Sequence, residues 1–137
     1  MEYEKNYNSP KLNILVAEDE EYNFLLISEI LKGYNINIMR AYNGKMALEH
    51  CINNPHIDLI LMDISMPVMD GLEATKRVKS LRPGLPVIIQ SSYTSYSDKL
   101  IAFEHGCDGF LPKPFNREGL ISTLEIHKPA GVSIGKE

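Results

Sequence analysis

The run Leu59-Ile60-Leu61-Met62 limits the possible folds more than any other stretch of the 137 residues. It is apolar without interruption and stops abruptly on Asp63. A strand with one wet face alternates polar and apolar residues. Four apolar residues in succession therefore imply a strand buried on both faces, as in a parallel sheet covered by helices. Pro67 and the Asp70-Gly71 turn close the loop behind Asp63. In open α/β sheets ligands bind at the carboxyl edge of the strands, which makes Asp63 the candidate reactive residue.

The flanking sequence repeats this arrangement. Leu12–Ala17 reads as a first buried strand and ends on three acids, Glu18-Asp19-Glu20. A helix is expected over about 21–32, with Phe24, Ile27, Leu31 and the neighbouring Leu25 and Ser28 on its packed face and Gly33 beyond its end. Residues 36–41 alternate like a more exposed strand, and Asn43-Gly44 turns the chain. The spacing predicts a second helix over 45–53 with Ala47, Leu48 and Cys51 inward. A third is predicted over 71–80 with Leu72 and Val78 packed, ended by Pro83-Gly84. A fourth strand over 86–91 ends in hydroxyls, a fourth helix over 97–105 leads to Gly106, and a short fifth strand spans 109–112. Asn116 is placed to cap a last helix reaching His127.

Five β-α units joined by short connections imply a parallel sheet with helices on both faces and right-handed crossovers. Residues 1–10 read as a loose lead-in, 11–127 as one domain, and 128–137 as a frayed tail or the stub of a linker.

Composition narrows the functional classes. No apolar run approaches the roughly 18 residues of a membrane-spanning helix, and the acidic, tyrosine-rich N-terminus is unlike a signal peptide. A cytoplasmic location without a membrane partner is expected. The net charge of −4 disfavours a nucleic-acid surface, which is usually basic. Cys51 and Cys107 form no paired motif and read as buried thiols in a reducing compartment. His50, His56, His105 and His127 lack metal-ligand spacing and are expected at the surface or in caps.

Taken at their carboxyl ends, the strands bring Glu18 and Asp19, then Asp63, then Ser91 and Ser92, then Lys113 to one edge. Clustered carboxylates raise one another's pKa unless a cation sits among them, and an oxygen-rich set suits Mg²⁺. With the cation and Lys113 in place, Asp63 can stay ionised and attack phosphorus, giving an acyl phosphate. Each residue also has a plainer reading. A lone Asp after a strand is commonly a turn-former, Glu20 suits the positive end of a helix, Ser91 can satisfy a strand-end backbone group, and Phe110 can be core.

Four segments in order carry a resemblance: residues 16–20 (Val-Ala-Glu-Asp-Glu), 62–71 (Met-Asp-Ile-Ser-Met-Pro-Val-Met-Asp-Gly), 86–92 and 111–115 (Leu-Pro-Lys-Pro-Phe). The chain resembles the receiver domain of two-component response regulators over roughly residues 12–127. The resemblance implies a flavodoxin-like, doubly wound five-stranded parallel sheet of order 2-1-3-4-5 with five helices. It implies that Asp63 accepts a phosphoryl group from a phosphohistidine on a histidine kinase or histidine phosphotransfer domain. It implies Mg²⁺, with Mn²⁺ as a substitute, held by Asp19, Asp63 and the Ser65 backbone carbonyl, with Glu18 assisting directly or through water. Ser91 falls at the family's switch hydroxyl, Phe110 at its switch aromatic, and Lys113-Pro114 at a peptide that is typically cis.

Glu18 stands where an Asp is commoner, and Ser91 where a Thr is commoner. Tyr93 is bulky near the expected path of attacking water and is expected to slow hydrolysis. The module implied is a signalling switch that catalyses only its own phosphotransfer and slow autodephosphorylation, with a fourth-helix, fifth-strand, fifth-helix face for an output domain or a homodimer. Its N-terminal wording resembles receivers of hybrid sensor kinases, a free-standing receiver being the alternative. Two other classes compete. An aspartyl-phosphate phosphohydrolase needs an acid two residues after its nucleophile, where this chain has Ser65. A flavin-binding module needs a phosphate-cradling loop where Glu18-Asp19-Glu20 would repel phosphate.

Overall fold

The computed structural model describes residues 10–135, so the expected lead-in over 1–10 lies, apart from Pro10, outside the described residues. The strands are β1 (Leu12–Ala17), β2 (Ile36–Ala41), β3 (Leu59–Asp63), β4 (Val87–Ser91) and β5 (Gly109–Pro112). They alternate with α1 (Glu21–Leu31), α2 (Gly44–Asn53), α3 (Gly71–Leu81), α4 (Tyr96–Glu104) and α5 (Arg117–His127). All neighbouring strands pair in parallel, in the order β2-β1-β3-β4-β5. The alternation of elements predicts the parallel pairing, and the strand order is the flavodoxin-like one that the family resemblance implies.

The two faces of the sheet are distinct cores. Ile60, Met62, Val87 and Ile89 pack under α2, α3 and α4 through Ala47, Cys51, Ala74, Val78 and Ala102. Leu59, Leu61, Ile88 and Leu111 pack under α1 and α5 through Ile27, Ile30, Leu120 and Leu124. Every residue of β3 is buried, because its odd and even positions serve different cores. Strand β2, at the sheet's edge, keeps a partly exposed face as its alternation predicts.

Local chemistry places the helix starts. Asn43, Asp70 and Asn116 each accept the backbone N–H three residues on. Helix α4 begins one residue before the expected start because Ser95 and Asp98 form a reciprocal capping box. Helix α3 extends one residue further than expected, and α1 ends one residue sooner. On α1, Ile27, Ile30 and Leu31 are buried and Phe24 packs beside them, whereas Leu25, read as part of the same face, is 55% exposed. The helix meets the sheet along a narrower stripe than its apolar content suggests.

The C-terminal segment also departs from expectation. Ile134 is 1% exposed and joins the α1/α5 core, with Val132 packed beside it. Asn35 Nδ2 donates to the carbonyls of Ser133 (2.8 Å) and Pro10 (3.1 Å). Up to residue 135 the segment is seated on the domain rather than frayed.

Candidate functional site

Because parallel strands all end at the same edge, β1 and β3 deliver their terminal acids side by side. Oxygens of Glu18, Asp19 and Asp63 lie within 4.8 Å of one another. Glu18 is fully buried, Asp63 is 7% exposed and Asp19 is open to solvent. From the end of β5, Lys113 Nζ donates to Asp63 Oδ1 at 3.2 Å and to Glu18 Oε1 at 3.3 Å. Three carboxylates thus face one ammonium.

Burial pushes the Asp63 carboxyl above its usual range, the Asp19 carboxylate adding to the shift and Lys113 working against it. Burial likewise raises Glu18, reinforced by Asp63 and opposed by Lys113. Excess negative charge in a site made only of oxygen donors is the condition under which a hard divalent cation binds. The Glu18, Asp19 and Asp63 cluster matches the Mg²⁺-binding triad of receiver domains.

The backbone beneath these acids is tightly held. Glu18 Oε2 accepts the Glu20 N–H at 3.2 Å. Arg40, at the end of β2, donates from Nε and Nη2 to the Glu18 carbonyl at 3.2 and 3.1 Å and pairs with Glu21. Its guanidinium lies 4.4 Å from the Phe24 ring centroid and 4.2 Å from that of Tyr42. Sequence reasoning missed Arg40; its one signal was an arginine one residue before a strand's end and two before Tyr42. Behind Asp63, a Cβ at Gly71 would collide with the Asp63 carbonyl oxygen, so only glycine lets α3 start this close to the strand.

The acids open into a cavity of about 650 Å³ also lined by Ser65, Ser91, Tyr93 and Lys113. Ser91 is buried, and its Oγ accepts the Tyr93 N–H at 2.9 Å, so the plainer strand-end role is present in the fold. The Lys113–Pro114 peptide is cis, and the Lys113 N–H donates to the Ser91 carbonyl at 2.8 Å. Tyr93 is 66% exposed at the rim. Phe110 lies elsewhere: it packs on the α2/α3/α4 side of the sheet, with Lys99 Nζ 5.9 Å from its ring centroid. Sequence reasoning also passed over Gln90, which lines the cavity fully buried.

The cysteines and two of the histidines have local roles away from this edge. Cys51 and Cys107 are free, buried thiols, each pushed up to about 11 by burial. His105 and His127 bond the carbonyls four residues back in their own helical turns. Among the described residues, no helix is long and apolar enough to cross a membrane.

Comparison with known proteins agrees with this geometry. Residues 14–125 match the response regulator receiver domain family. The chain is 33% identical over 114 residues to the transcriptional regulatory protein ZraR of Escherichia coli, covering 83% of this chain but 26% of ZraR. It is 36% identical to the autoinducer 1 sensor kinase/phosphatase LuxN of Vibrio campbellii, covering 85% of this chain and 14% of LuxN. The chain therefore spans only a fraction of these relatives. Among solved structures, the chemotaxis protein CheY4 of Vibrio cholerae superposes with a TM-score of 0.79 at 29% identity, over 85% of this chain and 98% of that one. The receiver domain of sensor histidine kinase PA1611 from Pseudomonas aeruginosa, solved with a magnesium ion in its active-site cleft, gives 0.79 at 26% identity, over 85% of this chain and 97% of that one. Fold, edge chemistry and family match agree, and the chain belongs to the response regulator receiver domains, switches that undergo Mg²⁺-dependent phosphorylation on an aspartate rather than enzymes acting on external substrates.

Proposed function

We propose that Asp63 is the phosphoacceptor of this receiver. The observation that carries the reading is the meeting of three carboxylates within 4.8 Å, two of them bonded to the same ammonium. An Asp63 oxygen attacks the phosphorus of a phosphohistidine, the P–N bond breaks, and its electron pair leaves with the imidazole. Asp19, Asp63 and the Ser65 carbonyl, with Glu18, are the groups to hold magnesium. When bound, it supplies charge neutralisation to the transferring phosphoryl group. Lys113 is already within bonding distance of the nucleophile and turns to the new phosphoryl oxygens.

The Ser91 hydroxyl lines the same cavity and is the switch donor in this reading, with Phe110 responding behind it on the α4 side. Helix α4 supports an output or homodimer face formed with β5 and α5, because it leaves Tyr96 81%, Leu100 47% and Phe103 47% exposed. The donor is a histidine kinase or phosphotransfer domain in the cytoplasm. Similarity to LuxN and to the PA1611 receiver favours a place within a sensor kinase system. Tyr93 at the cavity rim shields the acyl phosphate, and Tyr93→Ala is expected to hasten its hydrolysis. Incubation with acetyl phosphate, with and without Mg²⁺, tests the assignment by intact mass. One phosphoryl group should appear only with Mg²⁺ and be absent from Asp63→Asn; equal modification of that variant would sink it.

A further inference from the structure

Strand β4 carries one residue that the phosphoacceptor reading leaves unused. Gln90 stands opposite Asp63 in the β3–β4 register and opposite Leu111 in the β4–β5 register. In-register neighbours on adjacent strands project to the same face. Gln90 therefore shares the face of Asp63, on the strand that Lys113 must cross to reach it. It lines the same cavity and is 0% exposed. Neither its amide nitrogen nor its amide oxygen has a hydrogen-bond partner among the described residues.

An amide buried in this way is unfavourable, and folded proteins leave few of them. A methionine or leucine would fill the position without that cost. The neighbouring polar groups are engaged elsewhere: Lys113 with Glu18 and Asp63, and the Ser91 hydroxyl with the Tyr93 N–H. The resting arrangement thus holds a neutral donor and acceptor beside the nucleophile with nothing to bond.

We propose, resting on the phosphoacceptor reading of Asp63, that Gln90 is a positioning residue for the aspartyl phosphate. When a phosphoryl group on Asp63 draws Lys113 away from the carboxylates, the Gln90 amide gains the partners it lacks at rest. Its N–H donates to an oxygen of the phosphorylated side chain, and its carbonyl accepts from the displaced ammonium. Because the amide is uncharged, it adds nothing to neutralise the resting acids, so it is a cost at rest and its favourable contacts fall on the modified state alone. A ligand-like group that makes contacts in one state only shifts the balance toward that state. Gln90 thereby destabilises the unmodified switch and prolongs the modified one.

The test compares the full chain with Gln90→Met and Gln90→Asn at saturating Mg²⁺. Thermal melting is followed with and without beryllofluoride, together with beryllofluoride affinity and the decay of acetyl-phosphate-derived phosphate. Gln90→Met should melt higher than the parent when unmodified, bind beryllofluoride about tenfold more weakly, and lose its phosphate faster. Gln90→Asn, which keeps a shorter amide and guards against a folding defect in the first variant, should fall between. Unchanged beryllofluoride affinity and decay in both variants would overturn the role and leave the amide a mere cost of the fold. A parent chain that takes up neither beryllofluoride nor phosphate would overturn the phosphoacceptor reading and this role with it.

Discussion

The two ends of the sheet differ in how they treat buried polar groups. At the amino end, charged and amide side chains are used to satisfy backbone. Arg82 donates to the carbonyls of Cys51, Asn54, Pro55 and Ile57, at 2.9 Å for the shortest. Lys79 bonds the Leu85 carbonyl and Asp108, whose carboxylate also takes the Val87 N–H. Asp58 accepts the Asn13 N–H, and Asn35 ties Pro10 to Ser133 with only its own Oδ1 lacking a partner. At the carboxyl end, two of three clustered acids share one lysine, the Gln90 side-chain amide has no hydrogen-bond partner among the described residues, and Val68 sits at φ +70°. The amino end contributes stability, and the carboxyl end gives some of it up to keep charge and donors ready for a ligand.

The largest test of this contrast is at the amino end. Arg82→Met should leave several carbonyls short of a donor and lower the unfolding free energy by about 3 kcal/mol in urea titrations. Phosphorylation of the folded fraction should be unchanged. A variant as stable as the parent would show that Arg82 does not hold this end together.

At the other end the sign should reverse. Asp63→Asn removes a buried carboxylate from a group already short of positive charge, and should stabilise the metal-free protein by about 1.5 kcal/mol. The pH dependence follows the same logic. Burial raises Asp63 and Glu18 above their unfolded values, so the native state holds more protons than the unfolded one in that range. Their contribution is fully present below the ordinary carboxylate range and is lost as pH rises through the raised values. Unfolding free energy measured across the acid range should therefore fall less steeply with pH in Asp63→Asn than in the parent.

Magnesium should recover part of this loss. At a concentration tenfold above its dissociation constant it should add about 1.4 kcal/mol, read as a rise in melting temperature. The rise should vanish in Asp19→Asn, and an equal rise there would remove Asp19 from the metal site. The smallest effect is expected at Val68, a β-branched residue in the left-handed region and 78% exposed. Asn tolerates that backbone, so Val68→Asn should stabilise by about 0.5 kcal/mol in the same urea assay. No gain would mean that the loop relaxes around valine without strain.

Much of this architecture could be read from the chain. A four-residue apolar run ending on an acid demands two covered faces, and strict alternation with helices then makes the strands parallel. Parallel strands share a carboxyl edge, so Glu18, Asp19, Asp63 and Lys113 could be brought together from strand ends alone. What stayed hidden depends on contacts between distant segments. Leu25 looked packed because helical spacing does not say how wide a stripe the sheet will cover. Val132 and Ile134 lie in a segment too short for any period, and only the surface offered by α1, α5 and Asn35 gives them a place to bury.

By itself, then, the sequence determined the elements, the sheet's direction and the identity of the edge acids, because these follow from local spacing and strand polarity. Tertiary structure alone decided which groups are satisfied. Arg40 reaches the Glu18 carbonyl from a strand more than twenty residues away in the chain, and the Gln90 amide finds no partner among the described residues. Hydrogen-bond satisfaction is set by what folding brings within about 3 Å, and no one-dimensional pattern records that distance.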